Sequence, residues 1–225
     1  MLGGSFNPPH LGHLAVAVHA LEELALERVL LMPLFLPPHR PRPEYDPGAE
    51  HRVAMCRLLI AEHAPGGGDT GDGDAHGSNG TGARGAEGAL EVSTLEVERR
   101  GRSYTVDTLR ALHAIGPDVD LTLILGADMA VTLPSWREPG EILRLARVAV
   151  AERDRGREEI MRALERIDGK AQVSFLAMAP IEVSSTEVRA RLAAGSPVVE
   201  QVGPAVASYI DTHGLYRSAV TAGVS

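Results

Sequence analysis

Two histidines three residues apart, His10 and His13, stand in the stretch "GGSFNPPHLGH" near the start of the sequence. On a helix that spacing puts both side chains one turn apart on the same face. A helix can begin near His10, because Leu14, Val18 and Leu21 then form one apolar stripe. The first turn of a helix carries free backbone N–H groups and partial positive charge, which suits a phosphate. Gly3 and Gly4 follow a strand fragment and permit a tight turn with close backbone approach. Pro8 and Pro9 stiffen the loop that follows, and Gly12 leaves space beside the histidines. Two plainer readings compete: a capping turn with two surface histidines, or a zinc pair. The zinc reading lacks a ligand set, since the lone cysteine is Cys56 and no carboxylate lies nearby in sequence.

A second stretch, "PIEVSSTEVRARL" at 180–192, carries phosphate chemistry of a similar kind. Ser184 and Glu187 have the spacing of a capping box, so a helix should start there. Ser184, Ser185 and Thr186 offer hydroxyls and backbone N–H groups, and Arg189 lies one turn in with a fork suited to phosphate oxygens. Taken alone, this is equally an ordinary capped helix with a solvated arginine.

The elements that must position these residues alternate along the chain. Strand-like runs are expected at 28–36, 89–99, 120–126 and in "QVSFLAM", and "EILRLARVAVAER" reads as a helix end followed by a strand. Helical patterns occupy 49–64, "YTVDTLRALHAI", "REEIMRALERI", "SSTEVRARLAAG" and "PAVASYIDTHGLY". That alternation predicts an α/β fold: a doubly wound, Rossmann-like parallel sheet in three αβα layers, a single domain with a small C-terminal helical part. Ligands of such folds bind beyond the carboxyl ends of the strands. The domain should span 1–217, followed by a tail at 218–225 and interrupted by the glycine-dominated insertion 65–88. That insertion has no apolar periodicity and reads as a flexible surface loop. Its "GDTGDGD" lacks the glutamate and helical flanks of a calcium loop.

Composition narrows the partners. Of the 225 residues, 30 are acidic and 22 basic, a formal charge of −8, which makes nucleic acid or a membrane surface a poor partner. A single cysteine precludes an internal disulfide framework and fits a reducing cytoplasm. Cys56, beside Val53, Leu59 and Ile60, reads as a core residue. No spanning helix or signal peptide is expected. The sequence leaves a homo-oligomer open.

The two phosphate stretches together bring out a resemblance. "GGSFNPPHLGH" resembles the GG-(T/S)-F-x-P-x-H-x-G-H signature of nucleotidyltransferases with a His-x-Gly-His motif, and "VSSTEVR" resembles their I-S-S-T-x-x-R signature. "LPPHRP" (36–41), "RSYTVDTLRAL" (102–112), "LILGADMAVTLPSWREPGEIL" (123–143) and "YIDTHGLYR" (209–217) narrow the resemblance to bacterial nicotinate-nucleotide adenylyltransferases. It runs in order over nearly the whole chain except 65–88. Asn7 stands where that family often has Asp, so no catalytic role is expected of it. Only Met1 and Leu2 precede the glycines of the first strand, which leads to the expectation of a start further upstream.

The resemblance implies adenylyl transfer from ATP to nicotinate mononucleotide, with magnesium carried by ATP and no dedicated metal site. It implies catalytic roles for His10, His13 and Arg189, and ATP contacts from Gly3, Gly4, Ser5, Phe6, Ser184, Ser185, Thr186, Gly126 and Asp128, the last on a ribose. It implies acceptor contacts from Thr105, Trp136 and Arg137, with Trp136 stacked on the nicotinate ring. Asp128 could instead cap a helix, and Trp136, the sole tryptophan, could be a core residue. His39 and Arg40 make a small basic site on a stiff loop, suited to substrate phosphate or simply solvated. Sister enzymes using nicotinamide mononucleotide or phosphopantetheine are the alternatives, as is a nucleotide sensor without turnover.

Overall fold

In a computed structural model, residues 1–38, 45–63, 88–152, 156–168, 171–178 and 183–217 are described. The insertion 65–88, apart from Gly88, lies outside them, as do the tail 218–225 and both His39 and Arg40.

Six strands form one sheet: β1 (Leu2–Gly4), β2 (Val29–Pro33), β3 (Leu90–Val92), β4 (Thr122–Gly126), β5 (Arg147–Glu152) and β6 (Val173–Ala177). Their order is β3-β2-β1-β4-β5-β6, and every pairing is parallel. This is the doubly wound topology expected, with the reversal of direction between β1 and β4. β1 is short but central: Leu2 pairs with Leu31 on one side and Ile124 on the other. The Met1 amino group donates to Thr122 O at 2.7 Å, and burial lowers its pKa to about 5.

Side-chain alternation along the strands assigns the helices to two faces. Leu123, Leu125, Val148 and Val150 pack with helices α4 (Thr105–Ile115), α6 (Pro139–Leu145) and α7 (Arg157–Leu164). Ile124 and Ala149, one residue out of phase, pack on the opposite face with Ala17 and Ala20 of α1 (Leu11–Glu23) and Cys56 of α2 (Ala49–His63). Cys56 is fully buried, the core position its neighbours in sequence suggested. Helices α8 (Ser185–Ala193), α9 (Val199–Val202) and α10 (Pro204–Thr212) close a third cluster, with Val188, Val202, Val206 and Ile210 against Leu14, Met55 and Leu59. Each such side chain, taken fully out of water, contributes about 1.5–3 kcal/mol. The C-terminal helices are thus fastened to α1 and α2, the two helices that flank the start of the chain.

The segment 89–99 departs from the expected single strand. It pairs only over Leu90–Val92, and Leu95–Arg99 forms a short helix, α3. The alternation of Leu95 and Val97 with Glu96 and Glu98 mimics a strand, yet Glu96 is the buried member of the helix. Its carboxylate accepts a 2.6 Å hydrogen bond from Thr108 Oγ1 on α4, so tertiary contact overrides local pattern.

Candidate active site

The loop leaving β1 departs from the expected glycine turn. Gly3 and Gly4 are part of the strand itself, and the left-handed residue is Phe6, at φ 47°. Phe6 is fully buried, and its ring lies where a Cβ on Gly4 would come within 3.3 Å of it. A side chain at Gly4 would therefore crowd the Phe6 ring, whereas a Cβ on Gly3 would meet no atom within 4 Å. After Phe6 the chain passes a cis Asn7–Pro8 bond and reaches His10, the N-cap of α1.

His10 and His13 meet at this helix start, with ring centroids 3.7 Å apart. Phe6 flanks His13 at 4.8 Å. The backbone N–H of His10 donates to His13 Nδ1 at 3.2 Å, the reach-back that glutamate makes in a capping box. With Nδ1 accepting, the proton of neutral His13 resides on Nε2, which is left to donate elsewhere. Burial, followed by the neighbouring His10, holds the His13 pKa well below its usual value. His13 keeps part of its surface open, but protein atoms crowd the ring enough to disfavour the cation. Burial alone lowers His10 to about 4. Lowered in this way, both rings favour the neutral imidazole, which can donate a hydrogen bond but carries no fixed positive charge. His10 Nδ1 and Asn7 Oδ1 are buried without a protein partner.

The second signature is fastened onto the first. Ser184 caps α8, its Oγ accepting from the Glu187 N–H at 3.2 Å. Ser185 Oγ donates to Pro8 O at 2.9 Å, and Arg189 Nη1 donates to Asn7 O at 2.6 Å. Arg189 Nη2 also donates to Thr186 Oγ1 at 3.1 Å. Segments more than 170 residues apart in sequence thus present their helix N-termini at one loop. Arg189 is partly exposed rather than simply solvated, and its guanidinium has five N–H donors, more than these two bonds use.

The remaining ATP candidates, Gly126 and Asp128, and the acceptor candidates form a second grouping. Gly126 ends β4 and caps α5 (Ala127–Thr132), and Asp128 sits exposed in that helix's first turn. β4 lies directly beside β1, so Asp128 follows the strand at the topological switch point. Trp136 ends the 3₁₀ turn Leu133–Ser135 and is half-buried against the α4–α6 core. Its indole N–H donates to Thr132 Oγ1 at 3.2 Å. Thr105 opens α4 and Arg137 is held beside it: the guanidinium lies 4.9 Å from the Tyr104 ring centre and 3.5 Å from Asp107. Arg110 adds two bonds to Glu138, at 2.6 and 3.3 Å. The Trp136–Glu138 turn is thereby tied to the start of α4. The Arg137 side chain is engaged in that tie. Among the described residues no three His, Cys, Asp or Glu side chains gather as a metal site.

Two buried charged residues escaped the sequence. Arg52 lies on α2, where an arginine is ordinarily solvated, but is 1% exposed. Glu96 is the other, buried and bonded to Thr108; burial raises its pKa against the hydrogen bonds that would lower it. No spacing signal marks either, because their partners come from distant segments.

A parallel sheet whose switch point gathers two helix starts, paired histidines and an arginine is the arrangement with which α/β proteins hold phosphorylated ligands. A sequence model of the cytidylyltransferase-like family matches residues 1–191. A protein of Roseiflexus sp. (strain RS-1), named "probable nicotinate-nucleotide adenylyltransferase", is 37% identical over 218 residues, 96% of each chain. One of Salinibacter ruber with the same name is 37% identical over 217 residues, again 96% of each. The Plasmodium falciparum nicotinic acid mononucleotide adenylyltransferase complexed with APC superposes with a TM-score of 0.69 over 96% of this chain and 94% of its own. At 17% identity that likeness speaks for the fold. The chain belongs to the cytidylyltransferase-like family and, within it, to the nicotinate-nucleotide adenylyltransferases.

Proposed function

We propose that the chain transfers the adenylyl group of ATP to nicotinate mononucleotide, forming deamido-NAD and pyrophosphate. A phosphate oxygen of the mononucleotide attacks the α-phosphorus, the bond from that phosphorus to the bridging oxygen breaks, and pyrophosphate leaves. No covalent enzyme intermediate is required, so the protein acts by positioning and by stabilising phosphate charge. The observation that carries this reading is the fastening of α8 onto the histidine loop through Arg189–Asn7 and Ser185–Pro8.

In this reading His13 donates from Nε2, and His10 from its own ring, to oxygens of the transferring phosphate. Gly3, Gly4, Ser5 and Phe6 shape the loop that the triphosphate lies along. Ser184, Ser185, Thr186 and Arg189 hold the outer phosphates, and Gly126 with Asp128 serves the ribose. Thr105, Trp136 and Arg137 receive the acceptor, Trp136 by stacking on its ring and the others by backbone N–H; His39 and Arg40 serve its phosphate. Magnesium carried by ATP would offset the charge of the triphosphate that Ser184, Ser185, Thr186 and Arg189 hold. A cytoplasmic location suits a chain with a single cysteine.

Pyrophosphate release, measured with ATP and in turn nicotinate mononucleotide, nicotinamide mononucleotide and phosphopantetheine, tests the proposal. Release with the first and identification of deamido-NAD are expected; turnover with phosphopantetheine alone, or with none, overturns it.

A further inference from the structure

Arg52 is the charged side chain buried most deeply among the described residues, at 1% exposure, and its donors are spent on three separate segments. Nη1 donates to Ser5 O at 2.7 Å, inside the histidine loop that leaves β1. Nη2 donates to Leu34 O at 2.8 Å and reaches Phe35 O at 3.5 Å, where the chain leaves β2. Nε donates to Asp46 Oδ1 at 3.0 Å, and that oxygen also accepts from the Gly48 N–H at 3.0 Å, in the turn that opens α2. The Asp46 carboxylate is 5% exposed.

The stretch after β2 is held from its other side as well. Ser103 Oγ accepts from the Phe35 N–H at 3.0 Å, and the Ser103 N–H donates to Leu36 O at 2.9 Å. Ser103 lies two residues before Thr105, at the start of α4. Arg52 therefore fixes the loop after β1 to a segment that is itself pinned to the start of α4. A hydrophobic side chain would fill the volume without specifying any of these distances; a planar fork with several donors specifies all of them.

We infer that Arg52 is a positioning residue that sets the spacing between the loop carrying His10 and His13 and the segment supporting the acceptor side. The inference rests on the function proposed above. Arg52 touches no reacting atom; it acts through the Ser5 carbonyl, four residues before the first histidine's neighbour Pro9, and through the carbonyls of Leu34 and Phe35.

Two variants test it. Arg52→Lys keeps a charge opposite Asp46 but cannot bridge Ser5 O, Leu34 O and Asp46 at once. Arg52→Met combined with Asp46→Asn leaves no stranded charge and keeps an acceptor for Gly48. Thermal melting, steady-state kinetics with ATP and nicotinate mononucleotide, and calorimetric binding of an α,β-methylene analogue of ATP are measured for both and for wild type. A positioning role predicts folded proteins whose kcat falls about tenfold or more, with KM raised for both substrates and analogue affinity reduced, because small misplacements of reacting groups cost rate steeply. Folded variants with unchanged kcat, KM and analogue affinity overturn the inference, as does failure of both to fold, which would assign Arg52 to stability alone. Should wild type turn over no mononucleotide, the proposed function fails instead, and the analogue affinity of variant against wild type still decides the role of Arg52.

Discussion

Arg189 on α8 donates to the carbonyl oxygen of Asn7 at 2.6 Å, across a sequence separation of 182 residues. The arginine of one signature thus holds the backbone of the other, and the two cannot be displaced independently. The bond orients the guanidinium and leaves donors over, so that in the proposed function Arg189 is both a tether and an anion ligand. Arg189→Lys should retain charge but lose the fork that serves both purposes. We expect kcat/KM for ATP to drop roughly a hundredfold, on the scale of removing one transition-state donor, with the melting temperature little changed. Steady-state kinetics and a thermal melt decide it; a variant within about twofold of wild type would leave Arg189 as a tether only.

His13 contributes a different kind of donor, neutral and directed by its own capping bond. His13→Ala should reduce kcat by about ten-squared to ten-cubed while leaving ATP affinity within a few-fold, because the contact strengthens as phosphate charge develops. His13→Gln, whose amide nitrogen can stand near Nε2, should recover part of the rate. Equal rates for wild type and His13→Ala would reduce the residue to a helix cap.

Burial of His10 links the site to acid stability. The unfolded imidazole takes up its proton below about 6.5 and the folded one below about 4. Between those values the unfolded chain binds more protons, so stability falls as pH drops through that window and is unaffected above it. The full traverse corresponds to a loss on the order of 3 kcal/mol from this one group. Relative to His10→Gln, wild type should therefore lose denaturation free energy from pH 7 to pH 4; parallel curves would show that the ring is not held neutral. Activity should show no histidine-linked decline between pH 6 and 8.

The fold was legible where pattern and packing agree. Alternating strand and helix signals located β2, β4, β5 and β6 and the helices around them, and the capping pair Ser184 and Glu187 marked the start of α8 to the residue. Paired signature stretches announced a shared site, but nothing in their spacing foretold that Arg189 would reach Asn7. Leu95–Arg99 misled because its two-residue alternation is also what a short helix with one buried acid displays. Arg52 was invisible for a related reason: an arginine on a helix is ordinarily solvated, and its burial is set by Ser5, Leu34 and Asp46, none of them local to it. The two glycines were read as a turn when they serve as strand, because the left-handed residue comes later, at Phe6, whose backbone no propensity favours.

The acceptor grouping leads to the sharpest chemical expectation: nicotinate mononucleotide should be preferred over nicotinamide mononucleotide by at least about tenfold in kcat/KM, on the scale of one buried polar group satisfied or left unpaired. The two acceptors differ by a carboxylate against an amide on the same ring. The start of α4 at Thr105 offers backbone donors and positive potential, and the Trp136–Arg137 turn is tied to it through Asp107 and Tyr104. A carboxylate accepts from such donors at both oxygens, whereas an amide must turn its own N–H₂ toward one of them. Trp136 is oriented by its bond to Thr132 and packed along one side, which leaves the indole suited to stacking. Trp136→Ala should therefore raise KM for both mononucleotides and leave ATP affinity nearly unchanged. Asp107→Asn weakens the hold on Arg137 without touching the indole, so it should erode the preference for nicotinate more than it lowers kcat. Parallel kinetics with the two mononucleotides on all three proteins decide the matter. Equal use of both by wild type would remove the carboxylate from the recognition scheme, and an unchanged KM in Trp136→Ala would return that side chain to the core.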